Sequence, residues 1–161
     1  MGMAIDGKSK VVSATPTLDT NVYASGDRVG SVMTFSNAMD DSSGTGVVVS
    51  VVILDKAAQS SVLSLLLFND LPTVASADNA AIDISDTEME KCVGVIPIAA
   101  ADYVATASNT VATIRNVNLL LNSAKSSSSL EGKNLYGVLR SGGSPTYAAS
   151  SLVVKLCIKQ D

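Results

Sequence analysis

Histidine is absent from the 161 residues, which removes the commonest general base at neutral pH and the commonest transition-metal ligand. Ser-His-Asp and Cys-His nucleophiles therefore cannot be built, and only carboxylate, lysine or tyrosine chemistry remains. The densest carboxylates are Asp78, Asp83, Asp86, Glu88 and Glu90. Such a segment could give oxygen ligands to a hard cation, but its spacing is not that of an EF-hand loop, and a solvated acidic surface is the plainer expectation. Asp40 and Asp41, followed by Ser42, Ser43 and Gly44, form a second oxygen-rich stretch that reads as a hairpin turn.

Paired carboxylates can hydrolyse glycosidic bonds, yet sugar clefts are usually floored by aromatic platforms, and this chain has no Trp and four Tyr. Tyr23, Tyr103, Tyr136 and Tyr147 are expected at strand ends and interfaces with their hydroxyls wet. The stretch Ser25-Gly26-Asp27-Arg28-Val29-Gly30 is glycine-rich but lacks the GxxxxGK[ST] pattern of a phosphate loop, so it reads as a tight turn into a strand. Ser141-Gly142-Gly143-Ser144 is not followed by a helix and reads as a hairpin tip. Cys92 and Cys157 lack metal-ligand spacing. They are expected as buried small hydrophobes in a reducing cytoplasm, with a single disulfide between neighbouring strands as the alternative. No catalytic, cofactor-binding or metal-binding residue is assigned.

The elements that carry these residues are strands. Apolar residues make up 47% of the chain and aromatics only 4%; Val, Leu, Ala and Ile predominate, with Ser and Thr between them, a mixture that favours strands over helices. From Val22 onward about eight strand-length stretches recur between turn residues: 22–25, 28–36, 46–55, 62–69, 91–99, 111–121, 133–141 and 151–159. This is the pattern of a sandwich or barrel. GVVVSVVILD and VLSLLLFND are apolar on both faces, which marks strands covered on both sides or strands at a subunit interface. Ser85-Asp86-Thr87-Glu88 offers a capping-box start for one helical turn. Residues 1–20 read as an extended N-terminal arm, with a hint of a strand at 10–14, and residues 21–161 as one domain. The arm is expected to be disordered when free or to order on a neighbour. DDSSGTG at 40–46 and KSSSSLEGK at 125–133 read as turns or loops.

The formal charge of -4 with charged residues at 16% supplies neither a basic field nor stacking aromatics for nucleic acid. No nucleic-acid partner is expected. The start MGMAIDGKSK has charge before any apolar run, unlike a secretory signal, and Gly2 lacks the downstream Ser or Thr of a myristoylation site. The longest apolar run, 47–54, is far too short to span a bilayer, so no membrane partner is expected.

The succession YASGDRVG, a strand ending in Asn, GVVVSVVILDKAAQSSVLSLLLFND, SDTEMEKCVGVIPI, and KNLYGVLRSGG before a last strand ending KQD resembles a group of small phage and prophage proteins that decorate or cement the head. The resemblance spans roughly residues 20–161 and carries no active-site motif. It implies a jelly-roll-like antiparallel β-sandwich and a homotrimer. It also implies binding to the major capsid protein at junctions on the capsid exterior, after synthesis in the host cytoplasm. The arm is then the segment expected to order on the capsid. A receptor- or carbohydrate-binding knob of a fibre or spike is the alternative, distinguished by aromatics or an ion site at its tip. A carboxylate hydrolase, third, needs two facing acids, at least one with a raised pKa.

Overall fold

Between Leu152 and Gln160 the side chains alternate, with Leu152, Val154, Leu156 and Ile158 buried and Lys155 and Lys159 exposed. A period of two with one covered face is the mark of a strand on the skin of a sandwich. The structure, a computed structural model, describes residues 8–40, 45–122 and 133–160. Its ten strands are β1 (Lys8–Ala14), β2 (Arg28–Phe35), β3 (Thr45–Asp55), β4 (Leu63–Phe68), β5 (Cys92–Ile98), β6 (Tyr103–Ala105), β7 (Thr110–Ile114), β8 (Leu119–Asn122), β9 (Leu135–Ser141) and β10 (Leu152–Gln160), with one short helix, α1 (Asp86–Met89). Among the described residues no helix is long and apolar enough to cross a membrane.

All strand pairs are antiparallel, in two sheets ordered β1-β10-β3-β7-β6, with β8 also on β3, and β2-β9-β4-β5. The first strand pairs with the last, the second with the last but one, and β4 with β5. Apart from β4 to β5 and the run β6 to β8, each connection passes from one sheet to the other, which is the jelly-roll arrangement. The core between the sheets is built from Val29, Met33 and Phe35 of β2, Val51 and Ile53 of β3, Leu63, Leu65 and Leu67 of β4, and the inward residues of β9 and β10.

Several sequence expectations are corrected in detail. The stretch 111–121 is two strands, because Asn116 and Asn118 take positive φ values of 55° and 50°, which Asn tolerates better than most residues, and break the ladder between β7 and β8. Residues 22–25 form no strand, only an isolated bridge from Val22 to Thr146. Lys8–Ala14, expected within the arm, is β1, in register with β10 from Lys8↔Gln160 to Ala14↔Val154. The chain thus supplies its own neighbour for these residues. Ser141-Gly142-Gly143-Ser144 is not a hairpin tip, since β9 and β10 lie in different sheets. Residues 1–7, 41–44 and 125–132, parts of the expected arm and loops, lie outside the described residues.

The smaller sheet has a second apolar layer on its outer side. Leu66 and Phe68 of β4 with Tyr136 and Val138 of β9 pack there against Val74, Ile82, Ile84 and Met89. All four covering residues come from the 70–91 excursion between β4 and β5, so β4 is apolar on both faces because its own chain covers both. Ser85 caps α1 by accepting from the Glu88 N–H, as its sequence suggests. Asp78 pins the excursion down. Its carboxylate accepts from the Tyr23 hydroxyl at 3.0 Å, the Gly30 N–H at 2.7 Å and the Asp19 N–H at 2.7 Å. Gly30 is required where it stands: its φ is +77°, and a Cβ would come within 2.8 Å of Pro16 and 3.0 Å of Leu18.

Asp78→Ala should destabilise the fold by roughly 3 kcal/mol, since three donors lose their acceptor at about 1 kcal/mol or more each. Urea denaturation measures this as a lower midpoint at unchanged slope. Asp78→Asn, which keeps one carbonyl oxygen, should lose distinctly less.

Candidate functional site

The carboxylates singled out in the sequence are not gathered into a site. Asp78 is not a solvated surface acid; it is the structural acceptor described above. Glu88 accepts from the Thr73 N–H and pairs with Lys91 at 2.7 Å. Asp40 pairs with Lys10 at 2.5 Å and Lys8 at 3.6 Å, tying β1 to the end of the β2 connection. Among the described residues no group of three or more His, Cys, Asp or Glu is placed to hold a metal ion. The two carboxyls whose pKa moves, Asp40 and Glu88, are held below the usual range, chiefly by hydrogen bonds from Lys10 and Lys91 respectively. A hydrolytic acid needs the opposite shift.

The tyrosines correct the expectation of wet hydroxyls. Tyr23, Tyr136 and Tyr147 are buried, Tyr23 and Tyr147 pack with ring centroids 6.0 Å apart, and the hydroxyl oxygens of Tyr103 and Tyr147 are buried. Burial raises the pKa of Tyr23, Tyr103 and Tyr147 well above the ordinary phenol range, so none of these three provides a phenolate. Cys92 and Cys157 are half-buried and free. Cys92 packs in the layer outside the smaller sheet, whereas Cys157 lines a depression outside the larger one. With two sheets between them, about 10 Å apart, their Cα atoms are beyond disulfide reach.

Two buried polar residues escaped the sequence reading. Asp55, fully buried at the end of β3, accepts from the N–H groups of Ala57, Gln59 and Ser60 and holds a turn in which Ala58 and Ser60 have φ of 52° and 48°. Gln160 donates to the Ala38 carbonyl and accepts from the Asp40 N–H. The signal available was a polar residue at the inward position of an apolar alternation, two after Ile53 and two after Ile158.

What the fold presents is a face rather than a cleft. Directly paired residues of antiparallel strands lie on the same side of a sheet, so the register maps the outside of the larger sheet in rows: Ser9, Lys159, Val47 and Leu120; then Val11, Cys157 and Ser50; then Ser13, Lys155, Val52 and Thr113; then Val153, Leu54, Val111 and Val104. A bulge places Val49 as an extra residue between Val48 and Ser50, which lets Val48 and Val51 both point inward. Val11, Val104 and Leu120 are 64%, 71% and 77% exposed. Two shallow depressions meet at Lys159, one lined by Val11, Val49 and Cys157, the other by Val47 and Leu120. Unlike the smaller sheet, this one has no covering layer among the described residues. Large exposed aliphatic side chains clustered on one surface mark an interaction site.

No family model matches the chain, and no curated protein matches it. Among solved structures it is similar to that of Desmodium yellow mottle tymovirus, at 11% identity over 99% of this chain and 84% of that one, TM-score 0.28. It is also similar to the structure of Turnip Yellow Mosaic Virus at 100 K, at 8% identity over 96% and 93%, TM-score 0.27. Scores this low carry no weight for fold or function.

Lys10→Ala should raise the Asp40 pKa back toward the ordinary carboxylate range, which a carboxyl-carbon NMR titration reads directly. Because the folded pKa is the depressed one, the pair's stabilisation is present above the unfolded pKa and is lost as pH falls through the folded value. The variant should therefore show a weaker loss of stability on acidification.

Proposed function

We propose that this chain is a non-enzymatic structural protein of a tailed-phage virion, decorating and stabilising the capsid exterior at junctions between major capsid proteins. The observation that supports this is the asymmetry of its two sheets: one outer face is covered by the chain's own excursion, the other is a broad face of exposed aliphatic, serine and lysine residues with no covering layer among the described residues. A cement protein needs such a base. A receptor-binding knob would present aromatics or an ion site at its tip; Phe35, Phe68, Tyr23, Tyr136 and Tyr147 are buried, and no metal-holding cluster occurs among the described residues, which favours the decoration reading. The resemblance of the strand and turn succession to head-decorating phage proteins points the same way.

In this reading a protein that binds only the closed or expanded shell shifts the equilibrium toward it. Self-association into a homotrimer multiplies modest contacts through avidity.

Particles of the virus that encodes the chain should contain it in many copies, measured by mass spectrometry of gradient-purified virions. Particles assembled without the gene should release their genome at a lower temperature. Absence from purified particles would overturn the assignment.

A further inference from the structure

The open face carries a charge pattern at odds with the whole molecule. The chain is net -4, yet the charged residues in the four rows are Lys155 and Lys159, and neither has an ion-pair partner among the described residues. No carboxylate of the described residues stands in those rows. Each lysine is flanked by a serine of β1 and a valine of β3: Lys155 by Ser13 and Val52, Lys159 by Ser9 and Val47. Lys159 also sits between the two apolar depressions, where its stem can lie on the aliphatic surface and its ammonium remain free.

We infer that this face docks onto an apolar protein surface bearing carboxylates, on a partner other than a second copy of this chain. The inference rests on the adhesive virion reading and specifies the chemistry of the surface bound. Face-to-face pairing with a second copy is disfavoured by charge: isologous contact would bring Lys155 and Lys159 of both copies into one interface with no counter-charge from the described rows, and like-charge juxtaposition is strongly unfavourable. A purely apolar partner would leave both ammonium groups unpaired, whereas carboxylates opposite them give charge-assisted hydrogen bonds.

Size agrees with a lattice-bound role. Four strand positions at about 4.8 Å and the length of β10 at about 3.4 Å per residue give a footprint on the order of 600 Å². A standard stable interface buries about 800 Å² per partner. One face is therefore a weak site that gains strength by repetition on a shell.

The test uses the full chain on carboxylate-modified and amine-modified polystyrene beads, which share an apolar surface and differ in charge. The molecule's net charge favours the amine beads, so a preference for carboxylate can come only from a local surface. The expected result is about tenfold tighter binding to carboxylate beads at low salt, a preference that collapses near 1 M salt, where the Debye length is about 3 Å. The double substitution K155E/K159E should reverse the preference, K155Q/K159Q should abolish it, and L120S should weaken binding to both beads, all with melting temperatures close to the parent's. Equal or amine-favoured binding by the parent, or a preference that survives K155Q/K159Q, would overturn the inference. So would a light-scattering mass that drops in L120S, since copies of the chain would then be covering the face. Because no virion enters these assays, their failure is separable from absence of the protein from particles.

Discussion

The carboxylate of Asp78 joins three parts of the chain that sequence keeps apart: the segment entering the domain at Asp19 and Tyr23, the bulged start of β2 at Gly30, and the excursion between β4 and β5. The consequence is thermodynamic before it is functional. An excursion of some twenty residues loses conformational entropy when it is laid over a sheet, and anchoring near its middle lets Val74, Ile82, Ile84 and Met89 be buried together. With that layer in place, Leu66 and Phe68 can be as apolar as the core residues that alternate with them.

The larger sheet mixes aliphatic residues with serines, Thr113 and two lysines on its outer side and has no such layer among the described residues. Its outward valines and Leu120 have no folding role of the kind the inward residues have, because burial is what gives an aliphatic side chain its stabilising effect. Polar residues there would serve solubility better. A surface that keeps aliphatic residues in four consecutive rows, interrupted by serines and two lysines, is suited to a partner. Asp78 thus marks the difference between two sheets: where the excursion is pinned, the outward apolar residues complete the fold, and on the larger sheet no described segment covers them.

The strands were legible because burial on one side imposes a period of two, and β10 shows it residue by residue. GVVVSVVILD and VLSLLLFND raised one question in the sequence, own-chain cover or interface, and the structure answers it for VLSLLLFND, whose outward residues the chain itself covers. The answer was not readable locally, since it depends on where residues 70–91 go, which the long-range hydrogen bonds of Asp78 help fix. The turn Ser25–Gly30 and the cap at Ser85 were legible because glycine at positive φ and a side-chain acceptor before a helical turn are local requirements. Sheet assignment was not. The segment at 141–144 has hairpin chemistry, yet it follows one sheet and leads to the other, because turn residues specify a reversal and not which partner the next strand takes. Tyr23 misled for a related reason: its hydroxyl is accommodated inside by Asp78, and no composition rule reports such a tertiary acceptor.

The same logic explains why the molecule's chemistry lies in a surface and not in a cleft. The carboxylates whose contacts are described above are acceptors for backbone N–H groups or neighbouring ammonium groups, and the phenols of Tyr23, Tyr103 and Tyr147 are held protonated by burial, so the polar groups of this fold act as fasteners. Fastening leaves β10 straddling the sheet with its inward residues in the core and Lys155 and Lys159 on the outside. A lysine on this sheet face does little for folding, since it has no ion-pair partner among the described residues, but it sets which surfaces the face can meet. Apolar area supplies attraction without direction. The two ammonium groups supply the selection, admitting an apolar surface with carboxylates and rejecting a copy of the face itself, which keeps an exposed apolar sheet from self-pairing before it reaches its partner.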